Sequence, residues 1–266
     1  MTAHSESQLH AIRQGSGPPL VLIHGLGSSA KTWATVMDQL AAHRRVIAID
    51  LPGFGKSPPV DGPLTMATLA DAVQGFLAAE DLSKADLVGS SMGARTVLEL
   101  ARRGVGGNIV ALDPGGFWTP GQKRFFAISQ RVSMTMISLF RRVMPAIAGS
   151  AIGRTVLFNQ FSARPWAIPP TVARAEIRAF LAAKSVDEAF SAMADGPDQA
   201  GAPTGTTPGR VTIGWGRKDR ITLPSQAKRA GELFPDARVH WFDKCGHFPH
   251  WDQPGQTAEL ILASTG

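Results

Sequence analysis

The chain has 266 residues, 44% of them apolar and 18% charged, with a net charge of +6. This length and balance fit one large folded domain, or a core plus an insertion, and exclude an intrinsically disordered chain. No Lys/Arg block exceeds two residues, which speaks against a nucleic-acid-binding arm, and the single cysteine, Cys245, has no partner for an intrachain disulfide or a Cys-based metal site.

One lone cysteine fits a reducing compartment, so a cytoplasmic location is expected. The first residues, "MTAHSESQLHAIRQG", are polar and lack the basic-then-apolar order of a secretory signal. An apolar run at Leu20–Ile23 predicts the first strand buried on both faces. "HGLG" follows it, and Ala30–Ala42 reads as a helix behind serines able to cap it. Val46–Ile49 predicts the next strand, and the Asp50 carboxylate after it is expected to organise the turn in "DLPGFGKS". That turn lacks the spacing of a phosphate loop, so nucleotide binding is not expected.

A helix is predicted at Thr65–Glu80, after Pro63. A strand at Leu87–Val88 then leads into "GSSMG", and a helix over Met92–Arg103 stops at Gly104. Ile109–Leu112 forms the next strand, ending at Asp113. Strands resume at Val211–Ile213 and Val239–Phe242. Strand and helix alternate, so the predicted fold class is α/β, a mostly parallel sheet flanked by helices.

The alternation breaks between Phe117 and Gly205. This stretch reads as helical and amphipathic, and it closes with the connector "DGPDQAGAPTGTTPG". Residues 1–116 and 206–266 are therefore expected to form the core, and residues 117–205 an inserted helical cap. Within the cap, ten Lys/Arg face five Asp/Glu, a surplus of five that supplies most of the net charge. Its most apolar segment, "VSMTMISLFRRVMPAIAGSAIG", is interrupted by Arg141 and Arg142, so a transmembrane span is not expected.

Two adjacent serines, Ser90 and Ser91, sit in "GSSMG". Only Ser91 is flanked at both second-neighbour positions by glycine, as Gly89 and Gly93. A nucleophile on a sharp strand-to-helix turn needs that frame, because side chains there would collide as strand and helix pass. Ser90 reads as a small packing residue. A serine nucleophile needs a base, and the base needs an orienting acid. His247, on a loop after a strand, and Asp219, just past another strand, stand at strand carboxyl ends, where an open α/β sheet places its site. Asp113 stands at a third strand end and is the alternative acid. His250 reads as a surface or packing histidine, His24 as a loop-ordering one, and Cys245 as a buried inert thiol.

The stretches "LVLIHGLG", "VIAIDLPGFGKS", "LVGSSMGA", "GWGRKDRITLP" and "CGHFPHWDQP" resemble the α/β-hydrolase family across nearly the full chain. The resemblance implies Ser91 as nucleophile, Asp219 as acid and His247 as base. It also implies that the backbone N–H groups of Leu26 and Met92 form the oxyanion hole. Little chain precedes "AIRQG", so the family's first strand is expected to be short or missing. No cofactor and no metal are expected.

Phe125, Phe126, Met134, Met136, Ile137, Phe140 and Met144 read as the packed face of the cap. A sharper expectation has Phe117, Trp118, Phe125, Phe140, Trp166, Ile221 and Phe248 lining the substrate pocket. The expected reaction is hydrolysis of a small-to-medium apolar carboxylic ester. One alternative is carbon–carbon bond hydrolysis of a dienoate from aromatic degradation, held by cap arginines; relatives of that kind often carry Asn where Ser90 stands. A second is a ligand-binding protein that keeps the triad with negligible turnover. The expected partner is a small molecule, with weak attraction of the basic cap to an anionic membrane surface.

Overall fold

The computed structural model describes residues 9–266. The polar segment 1–8, on which the expectation of no secretory signal partly rests, lies outside them. Seven strands form one sheet: β1 (Ala11–Gln14), β2 (Pro19–Ile23), β3 (Arg45–Ile49), β4 (Asp86–Ser90), β5 (Ile109–Leu112), β6 (Val211–Gly216) and β7 (Arg238–Phe242). Their spatial order is β1-β3-β2-β4-β5-β6-β7. Only β1 runs antiparallel to its neighbour, pairing Ala11 with Ile49. β1, the first described strand, has four residues and is the "AIRQ" stretch itself; the expectation of a short or missing strand ahead of it falls mostly on residues 1–8, outside the described ones.

The central strands are buried on both faces, as near-continuous apolar runs require. Val21 and Ile23 enter one core with Ile47, Ile49 and Leu87. Leu20 and Leu22 enter the opposite core with Val46, Val88 and Val110. This is the two-residue period of a strand, with helices covering both sides. Each fully buried aliphatic side chain contributes roughly 1.5–3 kcal/mol relative to exposure.

The helix Met66–Ala79 begins at a capping box, where Thr65 and Thr68 satisfy each other's backbone N–H groups. The helix Met92–Arg102 ends before Gly104, which takes the left-handed conformation at φ 76°. The single helix expected over Ala30–Ala42 is instead a 3-10 turn, Ala30–Thr35, followed by a short helix, Met37–Ala41. Its side chains are claimed by neighbours: the Asp50 carboxylate accepts from Ala30 N–H at 2.7 Å, and Thr32 Oγ1 lies 3.1 Å from His250 Nε2.

Between β5 and β6 lie the helices Pro120–Leu139, Met144–Ile147, Ala151–Phe158, Pro170–Ala182 and Val186–Ala194. Several share a core of their own, in which Met144, Phe158, Val172 and Ile177 pack with Phe248 and Trp251 from beyond β7. The helix Pro120–Leu139 has apolar residues on two faces. Phe126, Gln130 and Met134 are buried, whereas Phe125, Ile128, Val132, Met136 and Leu139 are exposed. Phe125, Met136 and Phe140 therefore do not belong to the packed face expected of them. No helix of the described residues is long and apolar enough to cross a membrane.

Candidate active site

The carboxyl ends of the parallel strands converge on one place. Ser91 follows β4, Asp113 follows β5, Asp219 follows β6, His247 follows β7, and the Gly25–Ser28 loop follows β2. Ser91 is held at φ 55°, a conformation that side-chain-bearing residues rarely adopt, and it caps the helix Met92–Arg102. The glycine frame explains how it gets there. A Cβ on Gly89 would lie 2.2 Å from the Gly93 carbonyl oxygen, and one on Gly93 would lie 2.2 Å from that of Ile23. Ser90 is fully buried, and its hydroxyl has no hydrogen-bond partner among the described residues.

Ser91 Oγ–H donates to His247 Nε2 at 2.8 Å, and His247 Nδ1–H donates to Asp219 Oδ2 at 2.8 Å. The imidazole tautomer follows from these two bonds. Asp219 is fixed in turn. Its Oδ1 accepts from the backbone N–H of Ile221 and Thr222 at 2.7 and 3.1 Å, and its Oδ2 accepts from Thr222 Oγ1–H at 2.6 Å. All three principal side chains are buried. Met92 opens its helix, so its N–H has no intrahelical acceptor. Among the described residues the Leu26 N–H has none either.

Asp113 is the second carboxyl of the cluster. Its Oδ1 accepts from Gly216 N–H at 2.8 Å, and its Oδ2 has no partner among the described residues. Burial, reinforced by the adjacent Asp219 charge, pushes its carboxyl well above the usual range. The histidine bonds Asp219 rather than Asp113. Ligand atoms of Asp113, Asp219 and His247 lie within 4.8 Å of one another, but those of Asp219 and His247 already serve each other's hydrogen bonds.

The histidine loop is tied to the cap. His247 N–H donates to the Phe161 carbonyl at 2.7 Å. The Asp252 carboxylate accepts from Gly246 N–H at 2.7 Å, from Ala163 N–H at 2.8 Å and from the Ser162 hydroxyl. A second link crosses from the cap helix Pro170–Ala182: Glu176 and the Ser28 hydroxyl are hydrogen-bonded at 2.8 Å. Burial raises the Glu176 carboxyl to about 7. Sequence reasoning missed Glu176; a lone acid in an apolar helical stretch was its only signal.

A cavity of about 70 Å³ opens on Ser91 and His247, lined by Leu26, Phe126, Gln130, Met134, Met193 and Ile221 among others. A neighbouring space of about 70 Å³ shares Leu26, Ile137, Phe161, Phe180 and Phe248 with it and reaches Glu176. Of the expected pocket residues, Ile221 and Phe248 line this space. The other five do not. Phe117 is buried against Trp215 and Phe234, and Trp118 stacks on Phe126 from outside the cavity. Phe125, Phe140 and Trp166 point to solvent, because their helix positions lie on the outer cap face.

His24 is buried and orders its loop, with Nδ1–H donating to the Gly25 carbonyl at 2.7 Å and Nε2 accepting from Leu51 N–H at 2.9 Å. His250 is fully buried, not superficial, and burial lowers its pKa to about 3. The Cys245 thiol is buried and pushed far up by desolvation, which removes it as a nucleophile. Asp50 accepts from Ala30 and Lys56 N–H groups, holding the turn as expected.

Residues 20–260 match the model of the alpha/beta hydrolase family. A 2-hydroxy-6-oxononadienedioate/2-hydroxy-6-oxononatrienedioate hydrolase of Dechloromonas aromatica is 27% identical over 267 residues, covering 96% of this chain and 89% of that one. A thermophilic esterase from Thermogutta terrifontis superposes with a TM-score of 0.75 at 24% identity, covering 96% and 92% of the two chains. The esterase RhEst1 from Rhodococcus sp. ECU1013 does so with a TM-score of 0.75 at 24% identity, covering 97% and 95%.

Proposed function

The chain belongs to the alpha/beta hydrolase family, and from that premise we propose that it hydrolyses small-to-medium apolar carboxylic esters through Ser91, His247 and Asp219. The observation that carries this reading is the chain of two 2.8 Å hydrogen bonds from Ser91 Oγ to Asp219, built on a strained backbone at the cavity floor.

In this reading Ser91 Oγ attacks the ester carbonyl as its proton passes to His247 Nε2. Asp219 keeps the imidazole in the required tautomer and stabilises the imidazolium. The N–H groups of Leu26 and Met92 receive the developing oxyanion, each worth roughly 3 kcal/mol in the transition state. The imidazolium protonates the leaving alcohol. Water then attacks the acyl carbon as its proton passes to His247, and the imidazolium returns that proton to Ser91 Oγ as the acid leaves.

The cavity's lining favours an uncharged substrate. No Lys or Arg lines it among the described residues. That weighs against the carbon–carbon reading, which the name of the Dechloromonas relative keeps open, because a dienoate carboxylate would enter an apolar cavity without a counter-ion. Retention of a complete Ser–His–Asp set weighs against a ligand-binding protein with negligible turnover.

A chain-length panel of nitrophenyl esters, with a coloured dienoate added and Ser91→Ala as control, tests the proposal. Turnover of short and medium esters, lowered by at least about 10³-fold in Ser91→Ala, is the expected result. Undiminished turnover in the variant removes the assignment. Preferred turnover of the dienoate transfers it to carbon–carbon hydrolysis. Labelling of Ser91 by a fluorophosphonate without turnover of any ester favours the binding protein.

A further inference from the structure

Among the described residues, every large apolar side chain that stands exposed belongs to the cap. On the helix Pro120–Leu139 they form a stripe, Phe125, Ile128, Val132, Met136 and Leu139, at spacings of three and four residues. Ile152 and Val156 continue the exposure on the helix Ala151–Phe158, at 81% and 72%. Soluble monomers rarely leave so much contiguous apolar surface in water, and such patches mark interaction sites.

The charge on this face is one-sided. Between Asp113 and Glu176 the sequence holds no acidic residue but eight Lys/Arg. Arg124, Arg141 and Arg142 are exposed beside the apolar stripe and form no ion pair among the described residues. Arg131 lies 3.9 Å from the exposed Asp187 and over the Phe190 ring at 4.6 Å. An apolar face bordered by arginines that outnumber the acids beside them, here Asp187 and Asp198, is the pattern of a surface that lies in the headgroup region of a membrane. Apolar side chains enter the acyl boundary while guanidinium groups meet phosphates. A second copy of the chain is a poorer occupant. A two-fold contact puts the same patch on both sides, which would bring two sets of exposed arginines into one interface with few acids to pair them.

We propose that the outer face of the cap, centred on the helix Pro120–Leu139, docks on lipid bilayers that carry anionic headgroups. The inner face of the same helix supplies Gln130, Ser133, Met134 and Ile137 to the cavity over Ser91. Docking therefore sets the roof of the site one helix diameter from the lipid. The helix carries an outward apolar face in addition to the one its own core uses, and the bilayer accounts for the second. This proposal does not rest on the ester reading, because binding is measured without turnover.

The experiment is co-sedimentation of the full chain with vesicles of phosphatidylcholine alone and of phosphatidylcholine with phosphatidylglycerol. Two double variants accompany the wild type: Val132→Glu with Leu139→Glu, and Arg141→Glu with Arg142→Glu. Fluorophosphonate labelling of Ser91 and near-ultraviolet circular dichroism report folding. Wild type is expected to partition at least about tenfold more onto the anionic vesicles, and each variant to lose about tenfold or more of that binding. High salt weakens the binding further. Equal partitioning onto both vesicle types overturns the proposal. So does binding unaffected by variants that remain folded. A concentration-dependent dimer in analytical ultracentrifugation, dispersed by Val132→Glu with Leu139→Glu and indifferent to vesicles, assigns the face to a second copy and also overturns it. Should the apolar-to-acid variant fail to fold, the arginine variant decides alone, since both its positions are exposed.

Discussion

In the sheet, Leu20, Val21, Leu22 and Ile23 send alternate side chains to opposite cores, and none is exposed. In the cap, the helix Pro120–Leu139 turns Phe126 and Met134 inward and leaves their neighbours Phe125 and Val132 in solvent. Both segments are apolar in sequence, but only the first is covered from both sides by its own chain. Tight enclosure makes the core intolerant of change at the atomic scale. The cap, enclosed from one side, tolerates change outside and keeps its specificity on the inner face.

The largest test of that contrast lies at the strand ends. Asp219→Asn is expected to lower ester turnover about 10⁴-fold by presenting the wrong tautomer, while Asp113→Asn, at a carboxyl that does not bond the histidine, lowers it by less than about tenfold. Steady-state kinetics on one nitrophenyl ester compares the two. Equal losses would mean that the two carboxyls share the work.

Glycine replacements come next. Gly93→Ala drives a Cβ to 2.2 Å from the Ile23 carbonyl, and Gly121→Ala, on the cap helix, meets nothing within 4 Å. The first is expected to cost about 3 kcal/mol in denaturant unfolding, and the second to change stability by less than about 1 kcal/mol, toward stabilisation.

The seam between the regions titrates. Glu176 has a folded-state pKa of about 7, raised from 4.5 by burial. A raised acid holds its proton in the folded chain while the unfolded chain releases it. Its contribution to stability is therefore fully present below pH 4.5 and declines as pH rises toward 7. Glu176→Gln removes this slope. Relative to wild type, the variant is expected to gain about 2 kcal/mol between pH 5 and pH 8, read from urea midpoints. A parallel pH profile would place the ionised carboxylate in water. The smallest effect is at the outer face: Ile152→Ser, at a side chain 81% exposed, is expected to shift stability by less than about 0.5 kcal/mol.

The core was readable from sequence because its constraints are local. Gly89 and Gly93 single out Ser91, and the chain order of Asp219 and His247 follows the strand ends. The four-residue edge strand Ala11–Gln14 was harder, because a short strand on a sheet margin has little apolar run to announce it. The pocket was hardest. Phe125 and Phe126 are neighbours in sequence, and a helix turns by about 100° per residue, so one faces solvent and the other the cavity. Periodicity gives two apolar faces on that helix, and it does not say which one the core takes. The same holds for Trp166, whose 3-10 turn leaves it outside.

The tie between His247 N–H and the Phe161 carbonyl, with Asp252 gripping Ala163 and Gly246 together, joins the loop of the imidazole to the helical segment between β5 and β6. Displacing residues 161–163 would therefore take a strut from the loop that carries the imidazole, so a change in that helical segment reaches His247 without touching Ser91 or Asp219.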